Sequence, residues 1–164
     1  MHRDELAGWL RLLLTPGVGR DTARRLLAAF GLPPGIFAQP AARLADAIGP
    51  RLAQALATPP AELGAALERH LAWLDAAPGT HHLITLGDAG YPAELLAIAD
   101  PPLMLQVQGR PDVLRHPVRL AIVGSRHPTP QGQDNARQFA RALGETGVCI
   151  VSGLAQGVER AFVG

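Results

Sequence analysis

The sequence predicts an α/β protein whose N-terminal domain is all-helical. Apolar residues recur at helical spacing up to about residue 77, and from about residue 80 short apolar runs alternate with loops and a helical pattern. Pro78-Gly79 separates the two patterns. We therefore expect a helical domain over residues 1–79 and an α/β domain over residues 80–164.

Two amphipathic helices open the predicted helical domain. The apolar stripe of the first consists of Leu6, Trp9, Leu10 and Leu13, and that of the second of Ala23, Leu26, Leu27 and Phe30. Between them, the glycines of Pro16-Gly17-Val18-Gly19 permit a tight turn, typical of a packed helical hairpin. The turn also fits a helix-hairpin-helix that grips a DNA phosphate, with nearby cations at Arg20, Arg24 and Arg25.

Further helices follow in the same domain. Gly31 and Pro33-Pro34 end the second helix, and shorter helices are expected over residues 41–47 and 50–57. A longer helix is expected to begin near Pro59-Pro60, with an apolar stripe of Leu63, Leu67, Leu71 and Leu74. Each stripe needs a partner to bury it.

The second pattern predicts four strands. They are His82–Leu86, Leu103–Val107, Arg119–Val123 and Val148–Val151. A helix from about Gln131 to Thr146 joins the last two. A strand, a crossover helix and a second strand form a βαβ unit with parallel strands.

The turns after the last two predicted strands contain residue types that bind anions. The first turn contains Gly124, Ser125 and Arg126, and the second contains Ser152, Gly153 and Gly157. If the strands are adjacent, both turns line one anion-binding crevice. Alternatively, the glycines only tighten two strand-to-helix connections. Arg137 and Arg141 extend a cationic track in the first interpretation and occupy a solvated helix face in the second.

Composition excludes several classes of function. A net charge of +1, with fifteen Arg and no Lys, argues against bulk electrostatic coating of nucleic acid, so any DNA contact must be local. Cys149 is the only cysteine, which excludes a disulfide framework and a cysteine-rich metal site. His70, His81 and His82 lack any regular ligand spacing with acids or cysteines, and neither turn serine lies in a nucleophile motif. We expect no metal, no cofactor and no catalytic residue.

Targeting signals are also not expected. No run of about 18 apolar residues occurs, and the N-terminus carries acids at Asp4 and Glu5, where a secretory signal has a basic segment. We therefore expect a cytoplasmic protein with no membrane partner.

Five sequence blocks carry a resemblance to a known family. They are Gly90-Tyr91-Pro92, Asp100-Pro101-Pro102, Leu105–Gly109, Ile122–Arg126 and Ser152–Gly157. In order and spacing these blocks resemble the DNA-processing protein A family. The helical N-terminus, with Trp9 and Phe30-Gly31, is similar to that family's small SAM-like or helix-hairpin-helix-like domain.

The resemblance implies a fold and a function. It implies a partial Rossmann-like, doubly wound domain after the helical one, in which Gly124, Ser125 and Arg126 contact the DNA backbone and Ser152 to Ala155 flank the same site. It further implies that the protein binds and protects single-stranded DNA and loads a RecA-type recombinase during natural transformation (competence) and recombination.

The sequence departs from the family pattern near its end. Residues 158–162 differ from the usual continuation, and the chain stops at Gly164, before the part in which complete members self-associate. We expect a truncated product whose few strands leave apolar surface uncovered. Two alternatives stay open: an inactive remnant, and a nucleotide-binding enzyme that cleaves nucleoside monophosphates with Glu159 as its carboxylate.

Overall fold

A computed structural model describes residues 2–153 and contains two compact units, Met1–Leu114 and Arg115–Gly164. Helices and strands are both present, as the α/β prediction requires. The change of pattern near residue 80 falls inside the first unit, where it marks the first strand. A division into domains at residues 79 and 80 stays a prediction from the sequence.

The first unit begins with six helices. They are α1 (Arg3–Leu14), α2 (Arg20–Phe30), α3 (Pro33–Phe37), α4 (Ala41–Ile48), α5 (Pro50–Ala57) and α6 (Leu63–Ala76). Proline at the first helical positions starts α3 and α5, because its fixed φ suits a helix and its missing N–H has no partner there. The sequence did not predict α3, and α6 begins at Leu63 rather than near Pro59-Pro60.

Two apolar clusters bury the helices of this unit, and α1 contributes to both. Trp9 and Leu12 pack in one cluster, whereas Leu6 and Leu10 pack in the other. All four predicted stripe residues of α1 pack into the two clusters, Leu13 as a half-buried member, and Leu12, which the stripe omitted, is fully buried as well. Because α1 packs between two clusters, its buried face is wider than a single stripe.

Arg11 ties α1 to the end of α5. Its Nη2 donates hydrogen bonds to the Leu56 carbonyl at 2.5 Å and the Ala57 carbonyl at 3.2 Å, and its guanidinium lies 4.1 Å from the centre of the Phe37 ring. Cations near a helix C-terminus stabilise the exposed carbonyl groups. Partial burial lowers the pKa of Arg11, which nevertheless stays charged.

A two-stranded antiparallel sheet packs on these helices. Its strands are β1 (His81–Thr85) and β2 (Met104–Gln108), with Leu83 paired to Gln106. His81 stacks on Trp73 with ring centroids 4.1 Å apart, and its Nδ1 donates to the Trp73 carbonyl at 2.6 Å. Leu83 joins the cluster of Leu6 and Leu10. The sheet therefore belongs to the helical unit.

The segment between β1 and β2 contains two of the five sequence blocks, and a hydrogen bond between them stabilises the fold. Tyr91, which is 6% exposed, donates its hydroxyl hydrogen to the Pro102 carbonyl at 2.8 Å. Asp88 accepts hydrogen bonds from the backbone N–H of Thr85 at 2.6 Å and from its hydroxyl at 3.0 Å. These bonds hold the connection against the sheet.

The ionisation of Tyr91 at alkaline pH tests the structure of this segment. Burial raises the pKa of the Tyr91 hydroxyl above the ordinary value, because the folded protein favours the neutral phenol. The neutral phenol therefore stabilises the fold below the unfolded pKa of about 10, and this stabilisation is lost as pH rises through the folded pKa. Since Tyr91 is the only tyrosine and the chain has no lysine, phenolate absorbance reports this group directly. We expect the Tyr91 phenol to ionise at a higher pH in the folded protein than in the urea-unfolded protein.

Tyr91→Phe provides the matched variant. Loss of the hydrogen bond to Pro102 should lower the free energy of unfolding at neutral pH by about 1 kcal/mol. The variant should also lose less stability than the parent between neutral pH and the alkaline range. Identical phenolate titration in the folded and unfolded parent would contradict this assignment.

The second unit contains a βαβ arrangement, as predicted. Its elements are β3 (Arg119–Ala121), α7 (Pro130–Glu145) and β4 (Cys149–Val151), and β3 pairs with β4 in parallel. Ala136 of α7 is buried, but Phe139 beside it is 66% exposed. Large apolar side chains of this unit are exposed among the described residues, as expected: Val118, Leu120, Val123, Phe139 and Val151.

Candidate functional site

The parallel pairing of β3 with β4 brings the two predicted turns to one edge of the sheet. Ala121 pairs with Val151, and the backbone N–H of Ile122 donates to the Val151 carbonyl at 3.0 Å. Paired strands lie about 4.8 Å apart, so the chain leaves both strands side by side. We call residues 122–129 and 152–153 the loop pair.

The first loop presents its polar groups to solvent. Gly124, Ser125 and Arg126 are all exposed. The Ser125 hydroxyl oxygen accepts a hydrogen bond from the backbone N–H of His127 at 3.1 Å, which shapes the loop. Within residues 2–153, no hydrogen bond or ion pair engages the Arg126 side chain. Arg126 is therefore a cation with all five guanidinium N–H donors available to an anion.

Thr129 shapes the end of this loop, and sequence reasoning missed it. Its hydroxyl oxygen accepts from the Gly132 N–H at 3.1 Å and so caps α7, with Pro130 in the next position. A threonine before a proline is a typical helix start, so the signal was present in the sequence. After this cap, the Gln131 N–H is left without an acceptor among the described residues.

The second loop is described only in part. Ser152 is half-buried directly after β4, and Gly153 follows it in an exposed position. Gly157, which the sequence analysis also named, lies outside the described residues, as do Leu154, Ala155 and Gln156. The structure thus brings Ser152 and Gly153 to the same sheet edge as Gly124, Ser125 and Arg126.

Arg137 and Arg141 lie on α7 at a distance from the loop pair. They follow Pro130 by seven and eleven residues, which places them about 10 Å and 16 Å along the helix axis. Arg137 pairs with Asp134 at 2.9 Å, and Arg141 with Glu145 at 3.1 Å. Both side chains are largely exposed, so these ion pairs are weak. Arg137 and Arg141 therefore lie along α7 and not within the loop pair.

Unlike Arg126 within residues 2–153, the arginines near the helical hairpin of the first unit are bound to protein groups. Gly17 adopts φ +81° in the turn, and Val18 is buried. The three nearby arginines all bind protein groups: Arg20 pairs with Asp100, Arg24 donates to the Ala99 carbonyl, and Arg25 donates to the Ala47 carbonyl. These contacts favour the packed-hairpin interpretation over a phosphate grip.

Residues 2–153 lack two other kinds of feature. No group of three or more His, Cys, Asp or Glu side chains is arranged to hold a metal ion in that part of the chain. None of the helices it contains is long and apolar enough to cross a membrane.

Comparison with known proteins places these features in a family. The sequence model of the family described as DNA recombination-mediator protein A matches residues 82–163, half of the chain. Protein Smf of Escherichia coli (strain K12) is 41% identical over 93 residues, which are 57% of this chain and 24% of that protein. The DNA processing protein DprA of Streptococcus pneumoniae is 39% identical over 74 residues, 45% of this chain and 26% of that protein.

A solved structure extends the likeness to the first unit. The X-ray structure of DNA processing protein A (DprA) from Streptococcus pneumoniae matches with a TM-score of 0.65 and 23% identity, over 99% of this chain and 52% of that one. The family resemblance and the fold class predicted from the sequence, a helical domain followed by part of a Rossmann-like domain, are therefore confirmed. The alignments with the two curated relatives span about a quarter of each relative's length.

Proposed function

Because the chain belongs to the DNA recombination-mediator protein A family, we propose that its loop pair binds the phosphates of single-stranded DNA. The protein protects the bound strand and delivers it to a RecA-type recombinase during DNA uptake in natural transformation and during recombination. It acts in the cytoplasm.

The parallel pairing of β3 and β4 is the observation that carries the proposal. It puts two small-residue loops at one sheet edge, with an exposed cation that has no partner among the described residues. Backbone N–H groups and a guanidinium are the donors that proteins use for phosphate oxygens. A site of this kind contacts the DNA backbone and not the base edges, so we expect weak sequence preference.

Three loop-pair residues and the start of α7 have proposed parts in this contact. Arg126 supplies the charge, and Gly124 allows a phosphate to approach the backbone without a side chain in the way. Gly153 does the same on the second loop. The Gln131 N–H at the start of α7 adds a donor at the positive end of the helix dipole.

The proposed action is binding without covalent chemistry. Among the described residues, no histidine or carboxylate accepts a hydrogen bond from the Ser125 hydroxyl, so nothing there activates it as a nucleophile. Cleavage of a nucleoside monophosphate needs a carboxylate beside the loops, and the candidate Glu159 lies outside the described residues. No observation on the loop pair favours this second function.

Salt dependence of oligonucleotide binding tests the proposal. The logarithm of affinity for a single strand falls with the logarithm of salt concentration by about 0.7 for each neutralised phosphate. We expect fluorescence anisotropy with labelled oligo(dT) to give a slope of about −0.7 to −2, since Arg126 contacts one phosphate and Arg137 and Arg141 lie within reach of others. Binding that does not change with salt would contradict a phosphate site.

A further inference from the structure

A cavity of about 390 Å³ opens within the first unit, and none of its lining residues belongs to the loop pair. It lies between α1, the C-terminal half of α2 and the chain that follows β1. Its walls are apolar, and the side chains that matter here are Trp9, Leu27, Ala28, Leu32 and Leu86. Arg24 contributes the charged group of the lining. Volumes of about 300–1,000 Å³ are typical of pockets that bind small molecules.

Trp9 forms part of the apolar wall of the cavity. Its side chain is 1% exposed, and its indole Nε1 has no hydrogen-bond acceptor in the described part of the chain. Because that nitrogen is itself shielded from solvent, Trp9 contributes its apolar ring, and not this N–H, to the cavity wall.

Arg24 provides a cation with spare capacity. Its Nη1 donates to the Ala99 carbonyl at 3.0 Å, and its Nη2 lies 3.4 Å from the Asp21 carboxylate. The Asp21 side chain is 75% exposed, so this ion pair is weak. A guanidinium has five N–H donors, which leaves others for an anion at the cavity.

We propose that this cavity binds a small amphiphilic carboxylate. The apolar body of the ligand packs among Leu27, Ala28 and Leu86, and its carboxylate pairs with Arg24. The combination of apolar walls with one cation selects against uncharged lipid-like molecules and against small polar anions. The inference does not depend on DNA binding, since it concerns the first unit and different residues.

Octanoate and octanol serve as the test probes because they differ only in the charged group. We expect isothermal titration calorimetry to show saturable binding of octanoate that is at least about tenfold tighter than that of octanol, the difference typical of one charge-assisted hydrogen bond. Arg24→Met should bring octanoate to the affinity of octanol. Equal affinities for the two probes in the parent protein would overturn the proposal.

Two tryptophan variants on α2 locate the binding. Ala28 lines the cavity, whereas its neighbour Ala29 does not, and both are exposed on the helix, so neither change disturbs the core. We expect Ala28→Trp to abolish octanoate binding and Ala29→Trp to leave it unchanged. Equal effects of the two variants, or no binding of octanoate to the parent at millimolar concentration, would show that the cavity is not a carboxylate site.

Discussion

Arg126→Ala is expected to weaken oligo(dT) binding by about 10-fold to 100-fold at low salt. Hydrogen bonds to a charged group contribute about 1.5–3 kcal/mol, and 1.4 kcal/mol corresponds to a tenfold change in affinity. Arg126 is the exposed cation of the loop pair and has no internal partner in residues 2–153, so its removal leaves no protein group unpaired. The loss therefore measures DNA contact and not stability.

Arg69→Ala is the matched control for this change. Arg69 is an exposed arginine on α6 in the other unit, and its removal lowers the net charge by the same amount. We expect it to change oligo(dT) affinity by less than about twofold, because Arg69 is not among the residues that contact a phosphate in the proposed site. Equal losses in the two variants would mean that binding follows total charge and that the loop pair is not the site.

Leu12→Ala is expected to lower the free energy of unfolding of the first unit by about 2–5 kcal/mol. Replacement of a fully buried leucine removes apolar contact and leaves a cavity. Leu12 is 0% exposed in the cluster that contains Trp9, Leu26 and Ile36. Urea unfolding followed by tryptophan fluorescence measures this directly, since both tryptophans, Trp9 and Trp73, lie in the first unit.

Leu13→Ala tests the orientation of α1 against the sequence prediction. Leu13 is only half-buried, so its truncation should cost on the order of 1 kcal/mol. The predicted stripe included Leu13 and did not include Leu12. A larger loss for Leu13→Ala than for Leu12→Ala would show that α1 is rotated about its axis from the orientation described above.

Local sequence signals predicted most of the helices because their boundaries depend on nearby residues. Gly49 and Pro50 mark the junction of α4 and α5, and both helices have nearly the predicted bounds. The stripe of α1 could not be predicted fully, since one helix packed between two clusters buries more than a single face. The short helix α3 was missed because two consecutive prolines, Pro33 and Pro34, also fit a loop.

Partners distant in the chain were not predictable from local pattern. The strands β1 and β2 were expected as strands, but their association with α1 and α6 depends on contacts such as His81 with Trp73 and Leu83 with Leu10. The spacing of apolar residues along the chain does not determine which of these residues contact each other. The same holds for Arg20 and Arg25, whose partners Asp100 and Ala47 lie far from them in sequence.

The arrangement of the loop pair was easier to predict from the sequence. A parallel strand pair joined by a helix predicts that both turns meet at one edge, and the pairing of Ala121 with Val151 agrees. The sequence did not reveal which polar groups of the loops are already hydrogen-bonded within the protein. That depends on local geometry, such as the Thr129 cap and the hydrogen bond from the His127 N–H to Ser125. Those details decide which donors are available to a ligand.

The most direct test of the central claim is a map of the backbone amides that respond to DNA. With the nitrogen-15-labelled protein, titration with oligo(dT) should shift the amide resonances of Gly124, Arg126, Gln131 and Gly153 more than those of the hairpin turn at Gly17 and Val18. Shifts concentrated at Gly17 and Val18, with the loop pair unchanged, would contradict the assignment and place the DNA on the helical hairpin instead.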